Sequence, residues 1–266
     1  MTTFPIQIDA TELVYRYFLI PGVTPNWISS RTIQTLALEP GTYNFQVGSG
    51  YYTDFTFSVA SAGTVDYDTN FDAFLTGRGS STLTIVGFRV TLDARYLSGS
   101  GILLVVPLTN DDWITYKTCQ MVPASSYSVQ QGSGEVTSFA FKLELDGTFS
   151  YDSCYDGGNG GFLVGNGTST LEFLGYPILV DARASNGAGL TIQPIWGMPF
   201  TFTAVQFANL LPAQSFALQV NSGIVTKAVF SLDIEGNFSF DSSLSPYLEL
   251  EKFNGLTLLK VKGPLP

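Results

Sequence analysis

The sequence predicts an all-β protein that contains three internal repeats of about 88 residues. One short phrase is written three times, as AGTVDYDTNFD from Ala62, DGTFSYDSCYD from Asp146 and EGNFSFDSSLS from Glu235. The residues before each phrase alternate between apolar and polar, as in TSFAFKLELDG over 137–147. Period-two alternation bounded by Gly, Asn and Asp is typical of half-buried antiparallel strands. No stretch carries a convincing helical stripe, although WISSRTIQTLAL over 27–38 could form a short helix.

The start of each repeat is marked by an aromatic residue, alternating apolar residues and an Asp-Ala pair. The three openings are FPIQIDATEL, FRVTLDARYL and YPILVDARAS, beginning at Phe4, Phe88 and Tyr176. Many columns align at the same spacing, which indicates that one supersecondary unit occurs three times in the chain.

The junctions between repeats contain a single glycine, Gly87 or Gly175, and no linker. Separable domains are normally joined by exposed spacers rich in Pro, Gly and polar residues. We therefore expect one compact unit over 1–266, built from repeats 4–87, 88–175 and 176–263. It would form a pseudo-threefold barrel-like or prism-like body, or a multi-sheet body, of antiparallel strands. Three small tandem β domains with the same boundaries are the alternative.

The composition limits the classes of partner. The net charge is −10, and only 12 basic residues are spread over 266 positions. Such a chain does not form the long positive groove that nucleic acids require. No run of about 18 apolar residues is present, so no membrane span is predicted. The N-terminus lacks the features of a signal peptide, and an extracellular or surface location is favoured over the cytoplasm.

The absence of histidine removes several kinds of chemistry. Imidazole general bases, histidine-based triads and most zinc or copper sites need that side chain. The two cysteines, Cys119 and Cys154, could pair in an oxidising compartment or remain as free thiols.

An acid follows an aromatic residue at the same place in each phrase. An aromatic ring can cover the apolar face of a sugar while a carboxylate accepts its hydroxyl hydrogens. The opposing interpretation is structural, because an aspartate at the end of a strand commonly caps the next turn. The predicted ligand-binding pairs are Tyr67 with Asp68, Tyr151 with Asp152, and Phe240 with Asp241.

The first phrase also has the spacing of a calcium loop. Asp66, Asp68, Asn70 and Asp72 occupy positions 1, 3, 5 and 7, which supply oxygen ligands in such loops. Two departures weaken the match: position 6 is not glycine and position 12 is not acidic. Calcium is the only cofactor that the sequence brings into consideration.

Two further sets of residues recur at repeat spacing. Trp27 and Trp113, with Phe200 in the third place, could stack on a ligand or cover the core. The openings also place an acid at Asp9, Asp93 and Asp181, with arginine two residues beyond the last two, and this pattern predicts cross-strand ion pairs.

Three functions remain open on these observations. The first is a non-catalytic binding protein with repeated sites for a glycan or a small, partly apolar ligand, because weak equivalent sites give avidity. The second is a shell, tail or surface-assembly protein that associates with itself. The third is an enzyme that uses carboxylates or tyrosines, such as a hydrolase or a cyclase, inside a β-barrel. No residue is assigned a catalytic role.

Overall fold

The computed structural model describes residues 2–15, 17–47, 52–99, 101–104, 113–131, 137–184, 190–193, 205–220 and 224–266. Within these ranges the protein is all-β, as the sequence predicts. The strands, in chain order, are β1 (Phe4–Asp9), β2 (Tyr17–Leu19), β3 (Ile28–Ser29), β4 (Gln34–Leu38), β5 (Gly41–Val47), β6 (Tyr52–Val59), β7 (Val65–Asp66), β8 (Leu75–Thr76), β9 (Thr82–Ile85), β10 (Phe88–Asp93), β11 (Ile102–Leu104), β12 (Tyr116–Met121), β13 (Ala124–Tyr127), β14 (Val129–Gln131), β15 (Phe141–Leu143), β16 (Phe149–Ser150), β17 (Leu163–Val164), β18 (Thr170–Phe173), β19 (Tyr176–Asp181), β20 (Leu190–Gln193), β21 (Val205–Leu210), β22 (Ala213–Val220), β23 (Ile224–Leu232), β24 (Phe238–Phe240), β25 (Leu248–Phe253) and β26 (Leu256–Val261).

Helical structure in the described ranges is confined to short 3-10 turns. They are Thr69–Phe71, Ser153–Tyr155, Gly157–Asn159 and Ser242–Leu244. None of the described helices is long and apolar enough to cross a membrane. The short helix considered over 27–38 is wrong, because this stretch contains β3 and β4. β4 pairs antiparallel with β1 and buries Leu38, which its period-two alternation allows.

Three four-stranded sheets have the same pairing pattern. Their strand orders are β4-β1-β9-β8, β12-β10-β18-β17 and β21-β19-β26-β25. In each sheet the second strand is antiparallel to the first and parallel to the third. The predicted antiparallel pairing is found in most strand pairs, and the sequence did not predict the three parallel pairs. The parallel pairs arise because the two strands come from opposite ends of a stretch of roughly 80 residues, where no tight turn can set their direction.

The remaining strands form three further sheets. β16-β15-β13-β6-β5-β2-β3 make one path, with β7 paired to β6, while β11 pairs with β14 and β20-β22-β23-β24 make the last sheet. None of the sheets is closed into a barrel among the described residues. The barrel-like form of the predicted fold is therefore wrong, since each sheet ends in edge strands, and the multi-sheet form is the one observed.

Hydrogen bonds between distant segments tie the sheets together. The backbone N–H of Asp54 donates to the carbonyl of Pro123 at 3.2 Å, and the N–H of Ser138 donates to the carbonyl of Pro212 at 3.2 Å. The segment around Val14 lies along the edge of β12, and the N–H of Val14 donates to Gln120 at 2.9 Å. These bonds satisfy backbone groups that an edge strand would otherwise expose.

The core follows directly from the alternation of the strands. Buried apolar residues from Ile6 to Val261 form one cluster. In β10, Val90 and Leu92 point inward while Arg89 is exposed, as successive strand residues face opposite sides. Two buried phenols lie inside this cluster, and the hydroxyl of Tyr15 donates a 2.6 Å hydrogen bond to that of Tyr127. Burial raises the pKa of Tyr15 well above its ordinary value, so this pair is uncharged.

An aromatic ring covers a glycine at three places in the chain. Phe4 lies over Gly63, Phe88 over Gly147, and Tyr176 over Gly236. Each of these glycines has a positive φ, and a Cβ added to any of them would lie under 3.0 Å from the ring. The turn that opens each repeated phrase therefore needs glycine for two reasons, its backbone conformation and the approach of the ring.

We expect Gly147→Ala to destabilise the protein more than Gly160→Ala. Both positions have left-handed φ values, +82° and +85°, so both variants carry the left-handed penalty of roughly 1–2 kcal/mol. Only at Gly147 would the new Cβ contact a ring, at 2.6 Å from Phe88, whereas nothing lies within 4 Å at Gly160. The extra overpacking should add about 1–3 kcal/mol. Urea unfolding of the two variants measures the difference, and equal losses would contradict the proposed role of the ring contact.

Candidate functional site

A cleft of about 580 Å³ lies beside the hairpin of β23 and β24. It brings together two aromatic rings, a carboxylate, a lysine and serine hydroxyls. Its lining includes Lys227, Ser231, Ser239, Phe240, Asp241 and Tyr247. This is the place where a predicted aromatic–acid pair borders a cavity large enough for a small ligand.

The strand pattern explains why polar groups line the cleft. In β23, Ala228, Phe230 and Leu232 are buried, so the alternating residues Lys227 and Ser231 point to the opposite side. Ser231 pairs directly with Ser239 across the hairpin. The wall of the cleft is therefore the outward side of a hairpin whose inward side belongs to the core.

The carboxylate of Asp241 is fixed at the N-terminus of a 3-10 turn. Its Oδ1 accepts a 2.8 Å hydrogen bond from the backbone N–H of Ser243. Hydrogen bonds from Ser243 lower the pKa of Asp241, because they favour the charged form. Asp241 is exposed and borders the cleft.

The rings of the cleft come from either side of that turn. Phe240 and Tyr247 are both half-buried and pack against the core, and each also borders the cleft. Both backbone polar groups of Tyr247 are hydrogen-bonded. Its N–H donates to Leu244 at 2.8 Å, and its carbonyl accepts from Lys262 at 2.8 Å. The backbone of Tyr247 is therefore held by the fold, while Phe240 lies opposite the buried Phe230 across the hairpin.

The first predicted pair has a different environment. Asp68 caps its turn by accepting a 2.9 Å bond from the N–H of Asn70. Tyr67 is buried, and the guanidinium of Arg78 lies 4.7 Å from its ring centroid. A cation of the protein itself thus covers the ring face that a sugar would need.

The second predicted pair is also engaged. Asp152 accepts a 3.0 Å bond from the N–H of Cys154, again as a cap. The hydroxyl of Tyr151 accepts from the N–H of Asn166 at 3.1 Å and donates to Asp156 at 3.4 Å. All three acids therefore adopt the capping role that the opposing interpretation predicted, and only Asp241 also borders the cleft described above.

The calcium series is held by an arginine. Arg78 Nη2 lies 2.7 Å from Asp72 Oδ1, and its Nε lies 3.7 Å from Asp66 Oδ1. Asp68 caps Asn70, as stated above. In the part of the chain that the structure describes, no group of three or more His, Cys, Asp or Glu side chains is placed to hold a metal ion. The structure thus gives the calcium hypothesis no support.

The predicted aromatic series does not join the cleft. Trp27 and Trp113 are both half-buried, and neither is among the residues that line it. Phe200 lies outside the described residues.

The acids at the repeat openings form ion pairs with a different geometry from the predicted one. Arg95 holds both carboxylate oxygens of Asp93, at 2.9 and 2.6 Å, and Arg183 holds Asp181 at 2.8 and 2.6 Å. The pairs therefore lie within one segment instead of across strands, because the chain turns directly after the acid. The arginine hydrogen bonds lower the pKa of both carboxyls. At Asp9, Thr11 replaces the arginine and its hydroxyl donates at 2.7 Å.

The two cysteines are free thiols. Cys119 is partly buried and Cys154 is exposed. The possible disulfide is therefore absent from the structure.

Sequence reasoning missed Lys227 and Tyr247 as members of the cleft. A signal for Lys227 was present, since it alternates with the buried residues of β23. Tyr247 gave no such signal, because it follows a turn and reaches the cleft only through the tertiary fold.

Comparison with known proteins does not identify a family for this chain. No protein-family model matches the sequence, and no curated protein matches it. Among solved structures, the chain is similar to the C-terminal fragment of the pilus adhesin SpaC from Lactobacillus rhamnosus GG, at 13% identity and a TM-score of 0.30, covering 100% of this chain and 98% of that fragment. A longer SpaC chain is matched at 12% identity and a TM-score of 0.26, covering 97% of this chain and 43% of that one. TM-scores this low carry no argument about fold or function.

Acidification should destabilise the protein through its capping carboxylates. Hydrogen bonds with Cys154 and Ser243 lower the pKa of Asp152 and Asp241 respectively. A lowered folded-state pKa contributes stability above the unfolded value of about 3.9, and this contribution is lost as pH falls through the folded value.

The Asp152→Asn/Asp241→Asn variant separates this effect from loss of the caps. Asparagine is an equally good cap but has no carboxyl to titrate. The decrease in unfolding free energy between about pH 5 and about pH 2, where these carboxyls protonate, should be smaller in the variant than in the parent. Parallel decreases in urea unfolding would show that the caps do not contribute to the acid sensitivity.

Proposed function

We propose that the protein is a non-catalytic binding protein that takes a neutral, polyhydroxylated ligand, a glycan, in the cleft beside Phe240 and Asp241. The observation that carries the proposal is the combination in one cleft of two aromatic residues, Phe240 and Tyr247, and the exposed carboxylate of Asp241. Rings contact the apolar faces of sugars, and carboxylates accept hydrogen bonds from their hydroxyls.

The remaining groups of the cleft fit the same ligand. Serine hydroxyls both donate and accept, and a lysine ammonium donates to ring or hydroxyl oxygens. Ser231, Ser239 and Lys227 supply these groups beside the acid. The set contains no pair of acids, which glycoside hydrolysis needs, so binding without hydrolysis is the better match. The enzyme alternative also assumed a barrel interior, and the described sheets form none.

The contacts of the other two pairs distinguish them from this site. Arg78 covers the ring of Tyr67, and Asn166 and Asp156 engage the hydroxyl of Tyr151. We therefore propose that binding is strongest at Asp241, and that the first and second pairs act mainly as caps. An extracellular or surface location suits such a binding protein and is part of this proposal.

We also propose that the three four-stranded sheets are copies of one unit, joined in a single body over repeats 4–87, 88–175 and 176–263. The matching strand orders, the three ring-covered glycines and the three aspartate caps support this proposal. The junction bonds support it further, because Asp54 and Ser138 each donate to a proline at the corresponding place in the following repeat.

Binding should depend on Asp241 far more than on Asp152. A glycan array probed with the labelled protein identifies a ligand, and calorimetry then compares Asp241→Asn with Asp152→Asn. Both variants keep their caps, so folding is preserved in each. Removing the acceptor charge at the cleft should weaken binding by about tenfold, whereas Asp152→Asn should bind like the parent.

Two outcomes would count against this assignment. Equal weakening by both variants would favour repeated equivalent sites over a single principal cleft. The glycan proposal would also be wrong if the parent protein gave no array signal while a melting transition showed that it was folded.

Self-association is a second candidate function, and the edge strand β21 favours it. Val205 and Phe207 lie on the same side of this strand and are 41% and 50% exposed. β21 ends its sheet; Ser98 is hydrogen-bonded to its outer edge at Asn209, and Val205 and Phe207 lie in the preceding part of the strand. Exposed apolar edge strands promote pairing between chains. The partner on this surface would be a second copy of the chain.

Phe207→Lys should abolish any association that uses this edge. A charged residue on an edge strand blocks strand pairing between molecules. Phe253→Lys is the matched control, because Phe253 is 55% exposed at the end of a hairpin strand in the same sheet. Size-exclusion chromatography with light scattering should show larger species for the parent and the control, and monomers for Phe207→Lys. A parent that is monomeric at high concentration would exclude this function.

A further inference from the structure

A second cleft, of about 320 Å³, lies between the segment 11–14 and the edge strand β12. Three cationic side chains line it, those of Arg31, Arg89 and Lys117, and only one acid, Glu12, lies among the lining residues. The whole chain has 12 basic residues and a net charge of −10. A quarter of its basic residues therefore meet at one cleft, which gives a local excess of positive charge in an acidic protein.

The cations reach the cleft from three separate segments. Arg31 follows β3, Arg89 is the second residue of β10, and Lys117 lies on β12. Neither Arg31 nor Arg89 makes an ion pair with a described residue; the exposed guanidiniums are free to move toward a ligand. The three cations come together only in the tertiary fold, because no single strand carries all of them.

The edge of β12 adds a backbone donor. The carbonyl of Gln120 accepts from Val14 on the outer side of β12, so the backbone groups of Thr118, two residues earlier, point to that same side. Thr91, opposite Thr118, directs its own N–H away to Ser169 at 2.9 Å, which agrees with this register. The N–H of Thr118 thus faces the cleft, and no described residue accepts its hydrogen bond.

The other groups of the cleft do not oppose an anion. Burial raises the pKa of the Cys119 thiol to about 11, so it stays neutral near pH 7. The hydroxyls of Thr11 and Thr118 carry no charge and are already engaged, with Thr11 donating to Asp9 at 2.7 Å and Thr118 lying 3.1 Å from the hydroxyl of Thr91.

We propose that this cleft binds a small oxyanion, a carboxylate, sulfate or phosphate group. Arg31, Arg89 and the Thr118 N–H supply the charge-assisted hydrogen bonds that such a group prefers. The cleft is distinct from the one beside Asp241, with which it shares no lining residue. Its volume suits a single anionic group or one acidic sugar ring, and not a polymer backbone.

Titrations followed by ¹⁵N–¹H NMR test this proposal with inorganic sulfate, acetate and glucuronate as probes, at constant ionic strength set by chloride. Sulfate should shift the amide signal of Thr118 in a saturable manner. Arg89→Gln should raise the Kd for sulfate by about tenfold, because it removes one charge-assisted interaction. Lys142→Gln is the matched control, since it removes a positive charge on the exposed side of β15, outside the cleft.

The probes also identify the source of the anionic group. A lower Kd for glucuronate than for acetate would assign the site to an acidic sugar, and equal values would assign it to a free oxyanion. Arg31→Gln provides a second variant on an exposed turn, should Arg89→Gln alter the fold. The proposal is overturned if sulfate produces no saturable shift, or if both arginine variants and Lys142→Gln bind sulfate as the parent does.

Discussion

Three of the four-stranded sheets depend on a parallel pair between strands that are distant in the chain. β1 pairs with β9, β10 with β18, and β19 with β26. Each pair encloses more than 70 residues, and no turn connects its two strands directly. The entropic penalty of closing such a loop grows only slowly with length, so the large stretch between the strands adds little to it. Once the pair forms, the intervening hairpins are held against the sheet, and both candidate clefts lie at the margins of these hairpins and sheets. Folding that relies on such long-range pairing is expected to be slow.

Sequence reasoning predicted the features of the fold that are local. Alternation along β10, β15 and β23 identified strands correctly, because the side-chain period of a strand is a property of its own backbone. The aromatic at Phe88 and the glycine at Gly147 were both visible as repeated features, yet their contact was not. The parallel pairs and the open sheets could not be read in this way, since strand direction and closure depend on the packing of segments far apart in the chain.

At the candidate site, too, the sequence predicted the local features and not the tertiary contacts. The phrase around Asp241 predicted both a cap and a ligand-binding acid, and the cap is observed in all three phrases of the sequence. The three phrases differ in their surroundings because of residues outside them. The guanidinium of Arg78 covers the ring of Tyr67, and the backbone N–H of Asn166 donates to the hydroxyl of Tyr151. A repeated sequence therefore predicts a repeated backbone, whereas the accessibility of each copy is decided by residues that do not repeat. This is why one of three sequence-equivalent positions can border a cleft and the others can serve stability alone.

Net charge and local charge lead to different conclusions about partners. A net charge of −10 argues against nucleic acid, which needs positive potential along an extended groove. It does not argue against a small anion, because charges beyond the screening length of about 8 Å contribute weakly at physiological ionic strength. At Arg31, Arg89 and Lys117 the near field is positive, while the cleft at Asp241 has one acid, one lysine and neutral hydroxyls. If both proposals hold, the two clefts would select different groups, and a ligand that carries both sugar hydroxyls and acidic substituents would find complementary groups at each.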